Sequence, residues 1–193
     1  MSADVTSARS GAKGALEPIE PTAAQRGAAR RAAEVKATVP DFQVVVHASL
    51  AGVALEAVVA AAGRALKAHP GVNGAYADAK FQHYTRANVA VVLEGGAAPV
   101  VVDADAKSAD EVAAELAAWR EQISAGTLPG AAQSGSTFAV SRLEDVSAWT
   151  AIIQPGHAAV LAVGDAALTL SADARIVEPR EAAGFLRAVV AGL

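Results

Sequence analysis

Apolar positions along this chain recur with two periods, and the changes of period mark out the elements. Over 42–48 the run Phe-Gln-Val-Val-Val-His-Ala, rich in β-branched residues and entered after Pro40, predicts a strand. Over 52–68 the apolar residues are dense and helical in spacing, and His69-Pro70-Gly71 supplies the stop. Two short apolar runs, 88–93 and 98–102, flank Glu94-Gly95-Gly96 and predict a hairpin or a strand with a tight loop. Ser108-Ala-Asp-Glu111 has the spacing of a capping box, in which hydroxyl and carboxylate each satisfy a free amide of the first turn. Behind it Val112, Leu116, Trp119 and Ile123 form one helical stripe, closed by Gly126. Strands are predicted at 137–141, 158–163 and 167–170, and a last amphipathic helix from about Arg180. Thr22 is placed to cap an earlier helix that runs to Ala33 or Lys36. Helices and strands alternating in this way predict an α/β sandwich.

Composition narrows the picture. With 193 residues, 53% of them hydrophobic, the chain can bury a sizeable core, and one domain is expected over 21–193. Residues 1–20, rich in Ser, Ala, Gly and Pro without a period, read as a flexible arm. The net charge of −4 and the lack of a basic stripe argue against a nucleic-acid partner. No apolar run is long enough to span a membrane, and no signal peptide is read, so a cytoplasmic location is expected. There is no cysteine, which removes disulfides and thiolate chemistry. The four histidines have no metal-ligand spacing, and no metal is assigned.

The stretch Ser171-Ala-Asp173-Ala174-Arg175-Ile-Val-Glu178-Pro179 joins the last predicted strand to the last helix, a junction that exposes polar side chains on rigid support. It resembles the terminal motif of the dihydrolipoamide acyltransferases, the catalytic components of 2-oxoacid dehydrogenase complexes. That motif reads S-x-D-H-R-x-x-D-G, with the histidine as general base. Ala174 stands in the histidine's place, Glu178 in the aspartate's and Pro179 in the glycine's. Four further blocks follow in the family's order: Ala65-Leu66 to Tyr76, Pro99 to Ser108, Ser136 to Leu143, and Ile152 to Gly164. The opening Gln25 to Arg31 and Val39-Pro40-Asp41-Phe42 are similar to its first helix and strand entry.

The resemblance implies a chloramphenicol acetyltransferase-like two-layer sandwich with a mixed sheet, assembled as a homotrimer beside dehydrogenase-complex components. It implies an active channel between subunits, entered by coenzyme A at one end and a lipoyl arm at the other. Coenzyme A or an acyl-coenzyme A is then the expected ligand, with no covalently bound cofactor. By position Ser141 is the hydroxyl that stabilises the oxyanion, and Glu178 the acid that supports the site by pairing with an arginine such as Arg26 or Arg30. The departures carry equal weight. Ala174 cannot take a proton, and losing a general base costs about 10²–10⁴ in rate. Arg142 replaces a small amide after Ser141, and two connections, after Leu50 and at Gly164-Asp165-Ala166, are shorter than in the family. No apolar tail follows Leu193, which argues for a trimer rather than a cage. The expected function is an acyltransferase-like domain, catalytically impaired, with a structural, regulatory or acyl/coenzyme A-binding role. The alternative is an active transferase moving an acyl group between coenzyme A and a lipoyl or other thiol, aided by the thiolate already present at neutral pH. His157, after Pro155-Gly156, is expected to face solvent.

Overall fold

Buried β-branched runs pair into one sheet because each strand must satisfy its backbone groups while hiding its side chains. In the computed structural model, which describes Gly14 and residues 17–193, six strands form that sheet. They are β1 (Asp41–His47), β4 (Val89–Val92), β5 (Val100–Val101), β6 (Phe138–Arg142), β7 (Ala159–Val163) and β8 (Ala167–Asp173). A separate two-stranded hairpin is made by β2 (Gly74–Ala77) and β3 (Lys80–His83). The sheet order is β1-β8-β7-β6-β4-β5. Strands β4, β6 and β7 run parallel, while β1, β8 and β5 are antiparallel to their neighbours, so the sheet is mixed.

Helices α1 (Ala23–Thr38), α2 (Leu55–Ala68), α3 (Ala109–Ser124) and α4 (Pro179–Ala191) complete the set. Helices α2, α3 and α4 cover one face, where Val58, Leu66, Leu116, Phe138, Leu161 and Phe185 form the main core. Phe138 and Phe185 meet edge to face with ring centres 5.4 Å apart. Gly63 lets α2 lie against the turn at Ala104, since a Cβ there would sit 2.5 Å from that backbone. The capping box at Ser108 and Glu111 is formed in full at the start of α3. A smaller core of Val35, Ala90, Val100, Ala139, Ile153 and Val160 covers the opposite face.

The chain divides into two units, Met1–Arg30 and Arg31–Leu193. In the first, Thr22 caps α1, its Oγ1 accepting from the Gln25 amide at 3.2 Å while Gln25 Oε1 accepts from the Thr22 amide at 2.8 Å. Most of the arm expected over 1–20, namely residues 1–13, 15 and 16, lies outside the described residues. Among the described residues no helix is long and apolar enough to cross a membrane.

Both predicted short connections are real. Strand β1 passes to α2 through one turn, and Gly164 turns β7 straight into β8 with its amide on Ala167 O at 3.0 Å. Strand β8 is longer than its apolar run. Thr169, Ser171 and Asp173 alternate with Leu168, Leu170 and Ala172, so polar and apolar residues take opposite faces with period two.

Candidate functional site

Strand β8 carries the 171–179 junction to the edge of the fold and holds it rigid. Asp173, 2% exposed, accepts from Arg175 four times, from its amide at 2.9 Å and from the guanidinium at 2.7–3.2 Å. The same guanidinium lies over the Tyr76 ring, 4.6 Å from its centre. The Ala174 amide donates to Pro40 O at 2.9 Å, and the Ile176 and Val177 amides return to Asp173 O. The loop is thus held by its own residues together with Pro40 and Tyr76, while the side chain at its apex is the exposed methyl of Ala174. Glu178 is exposed at the N-cap of α4 without bonding the helix amides, and it forms no ion pair among the described residues.

His157 does not face solvent. The Pro155-Gly156 turn, held by Tyr84 Oη donating to Gly156 O at 2.9 Å, folds the imidazole inward until it is 7% exposed. Its Nε2 lies 3.0 Å from Ser136 Oγ and 3.1 Å from Ser136 O, and Nδ1 is sealed without a partner. Burial lowers its pKa, against a smaller upward pull from the Ser136 carbonyl. The ring lines a small cavity of about 220 Å³ with Asp173, Arg175 and Tyr76.

Ser141 lies elsewhere, near the carboxyl end of β6, in the wall of a cleft of about 1010 Å³. The residue is 9% exposed and its hydroxyl bonds to no described residue. Next to it Arg142 donates to Val53 O and, at 3.0 Å, to Leu50 O, and pairs with Asp165 at 3.6 Å. Arg142 therefore ties both short connections together and forms part of the cleft wall without closing it. Pairing sets the separation of the two halves. Ser141 is level with Ala162 on β7, and Ala162 with Thr169 on β8, so Ala174 lies five residues further along. That is roughly 16 Å in the strand direction alone. Within one chain the hydroxyl and position 174 cannot meet.

The sequence profile described as 2-oxoacid dehydrogenases acyltransferase (catalytic domain) matches residues 48–193. The chain belongs to this family. The dihydrolipoyllysine-residue acetyltransferase component 3 of the mitochondrial pyruvate dehydrogenase complex of Arabidopsis thaliana is 31% identical over 156 residues, covering 68% of this chain and 29% of that protein. The chain thus spans under a third of that relative's length. The cubic core of the pyruvate dehydrogenase multienzyme complex superposes with a TM-score of 0.84 at 21% identity, covering 94% of this chain and 93% of that one. Chloramphenicol acetyltransferase shares the fold at a TM-score of 0.56 and 11% identity, over 85% and 94% of the two chains. The mixed six-stranded sheet with helices on one face is therefore the chloramphenicol acetyltransferase-like sandwich.

Two features had no sequence expectation. The β2–β3 hairpin turns through Asp78 and Ala79, both at positive φ (52° and 57°), and alanine there gives no turn signal. The cleft wall is drawn from segments around 52–56, 94, 120–124, 141–145 and 165, which no local motif links.

Proposed function

We propose that this chain is an acyltransferase-family domain impaired in acyl transfer, with a structural, regulatory or ligand-binding role in a homotrimer associated with dehydrogenase-complex components. Coenzyme A or an acyl-coenzyme A is the ligand that the family resemblance suggests. The observation that carries the reading is the methyl group of Ala174 at the apex of a junction held by Asp173 and Arg175. The titratable groups nearest to it on β8 and in the adjoining cavity are engaged, while Glu178 is exposed at the N-cap of α4. The Asp173 carboxylate is taken by Arg175, and the His157 ring is tied to Ser136 on one side and sealed on the other. The separation of Ser141 from position 174 supports an assembly in which a neighbouring copy brings the two together.

The test is acetyl transfer from acetyl-coenzyme A to dihydrolipoamide, with Ala174→His alongside. Turnover by the native chain is expected at least about a hundredfold below histidine-bearing members of the family. Native turnover within about tenfold of such enzymes would overturn the reading. Ser141 favours a second reading, an active transferase. A hydroxyl that lines the cleft at the end of β6 with no partner among the described residues can still stabilise an oxyanion, an effect of about 10²–10³ in rate. The same assay decides between them.

A further inference from the structure

We propose that the small cavity walled by His157, Arg175 and Tyr76 is a binding pocket for a neutral molecule that carries both a hydrogen-bond donor and an acceptor, of which an aromatic amide is the simplest form. The pocket is separate from the acyl-transfer site. Neither Ser141 nor Ala174 borders it, and it shares no lining residue with the cleft at the end of β6.

An unspent acceptor is the first observation. His157 is 7% exposed, and its Nε2 lies 3.1 Å from Ser136 O. A carbonyl oxygen can only accept, so Nε2 carries the ring proton and donates it there. Ser136 Oγ, 3.0 Å from the same nitrogen, shares that proton. Nδ1 is then left with a lone pair, and nothing among the described residues donates to it. Buried polar atoms are ordinarily paired, so this one calls for a donor from outside the chain. His157 borders the cavity and Ser136 does not, so the cavity is the side from which that donor can come.

The second observation is an unspent donor. Arg175 gives Nε and Nη2 to Asp173 and leaves Nη1 without a partner among the described residues. Asp173, itself 2% exposed, cancels the guanidinium charge, and the exposed Glu34 of α1 stands at the rim. The pocket thus has no net positive charge to hold an anion, yet it presents one acceptor and one donor. Size and lining are the third observation. Val35, Val39 and Pro155 add apolar wall beside the Tyr76 ring. The volume is about 220 Å³, and an engineered apolar cavity of about 150 Å³ already admits benzene.

In the resting turn Nδ1 is closed off from water. The ligand reaches it by a slight outward shift of Pro155-Gly156-His157, whose exposed tip is tied to the fold by Tyr84 Oη donating to Gly156 O at 2.9 Å. Protonation would turn Nδ1 from an acceptor into a donor, so the choice of an amide over a carboxylate depends on a neutral ring. Burial favours that neutral form. The other titratable groups facing the ring or its turn are Glu34 of α1, Tyr76 of β2, Asp173 and Arg175 of the junction, and Tyr84.

Titration of the full chain with benzamide, benzoate and toluene, followed by NMR at the His157 imidazole, tests the proposal without any turnover. At about pH 7.5 benzamide is expected to move those resonances saturably and to bind about fivefold more tightly than either benzoate or toluene, the worth of one hydrogen bond. Lowering the pH to about 5 should narrow the gap between benzamide and benzoate, and should do so in Glu34→Gln as in the native chain. His157→Phe keeps a ring and removes the lone pair, so benzamide should lose its advantage over toluene with the melting temperature little changed. Should that variant unfold, the imidazole shifts and the pH dependence of the native chain decide the matter. Equal affinity for all three compounds would reduce the pocket to an apolar hole and overturn the proposal. Benzamide binding that leaves the imidazole unmoved would overturn it as well, as would a preference for benzoate at pH 7.5 or no binding by any of the three. Acetyl transfer is measured separately, so a working transferase would defeat the impaired reading without bearing on these titrations.

Discussion

The ends of β6 and β8 carry the two halves of the proposed site, and they are built in opposite ways. At the end of β8 the loop is held by several close contacts. Asp173, Arg175, Tyr76 and the backbone of Pro40 fix the loop, and its tip carries only a methyl group. At the end of β6 a serine hydroxyl lines an open cleft, with Arg142 next to Ser141 and an acid-rich wall around it. The difference teaches that geometry and chemistry are separable in a site. The contacts that shape the β8 junction also hold the fold together, so they persist whether or not a base is carried there.

Restoring the tip gives the largest expected effect. If the junction still has its catalytic shape, Ala174→His should raise acetyl transfer by about 10²–10⁴, and Ser141→Ala in that background should remove about 10²–10³ of it. A gain under tenfold in the first variant, read in the dihydrolipoamide assay, would show that the geometry decayed along with the base.

Dismantling the support comes next. Asp173→Asn removes the charge of a nearly inaccessible carboxylate that accepts four bonds from the part-exposed Arg175, and is expected to cost about 3 kcal/mol in urea unfolding. A loss below about 1 kcal/mol would mean the pair orders the loop without stabilising the domain. On the other side, Arg142→Asn removes two hydrogen bonds from charged donors to the carbonyls of Leu50 and Val53, at about 2 kcal/mol. Equal losses in the two variants would erase the distinction between a preserved and a rebuilt region.

The last test concerns pH. Burial holds the His157 pKa below its usual 6.5, so the folded protein keeps the ring neutral where the unfolded chain would protonate it. This contribution is fully present above about pH 6.5 and is lost as pH falls toward the lower folded value. Urea midpoints measured between pH 7.5 and 5 should fall, and His157→Gln should flatten that slope. An unchanged slope would place the acid sensitivity elsewhere.

Much of this architecture was legible in the sequence, because period and turn chemistry are local. The stripe Val112, Leu116, Trp119, Ile123 and the box at Ser108 foretold α3, and Gly164-Asp165-Ala166 foretold the tight β7–β8 return. What escaped depends on contacts between distant segments. Polar Thr169, Ser171 and Asp173 hid the second half of β8, since their burial is visible only once the other face is covered. His157 looked exposed because nothing near it in sequence announces Ser136 as its partner. The position of the lost base could be read from one motif, whereas the charge of the cleft required five segments to converge.

The tie made by Arg142 has a further consequence. One side chain grips the turn after β1 and the turn after β7 together, so neither can be lengthened while the other stays as it is. Loop length at these two places is then set jointly rather than separately. A graft that restores one longer loop should succeed only when residue 142 reverts and the opposite loop is rebuilt with it.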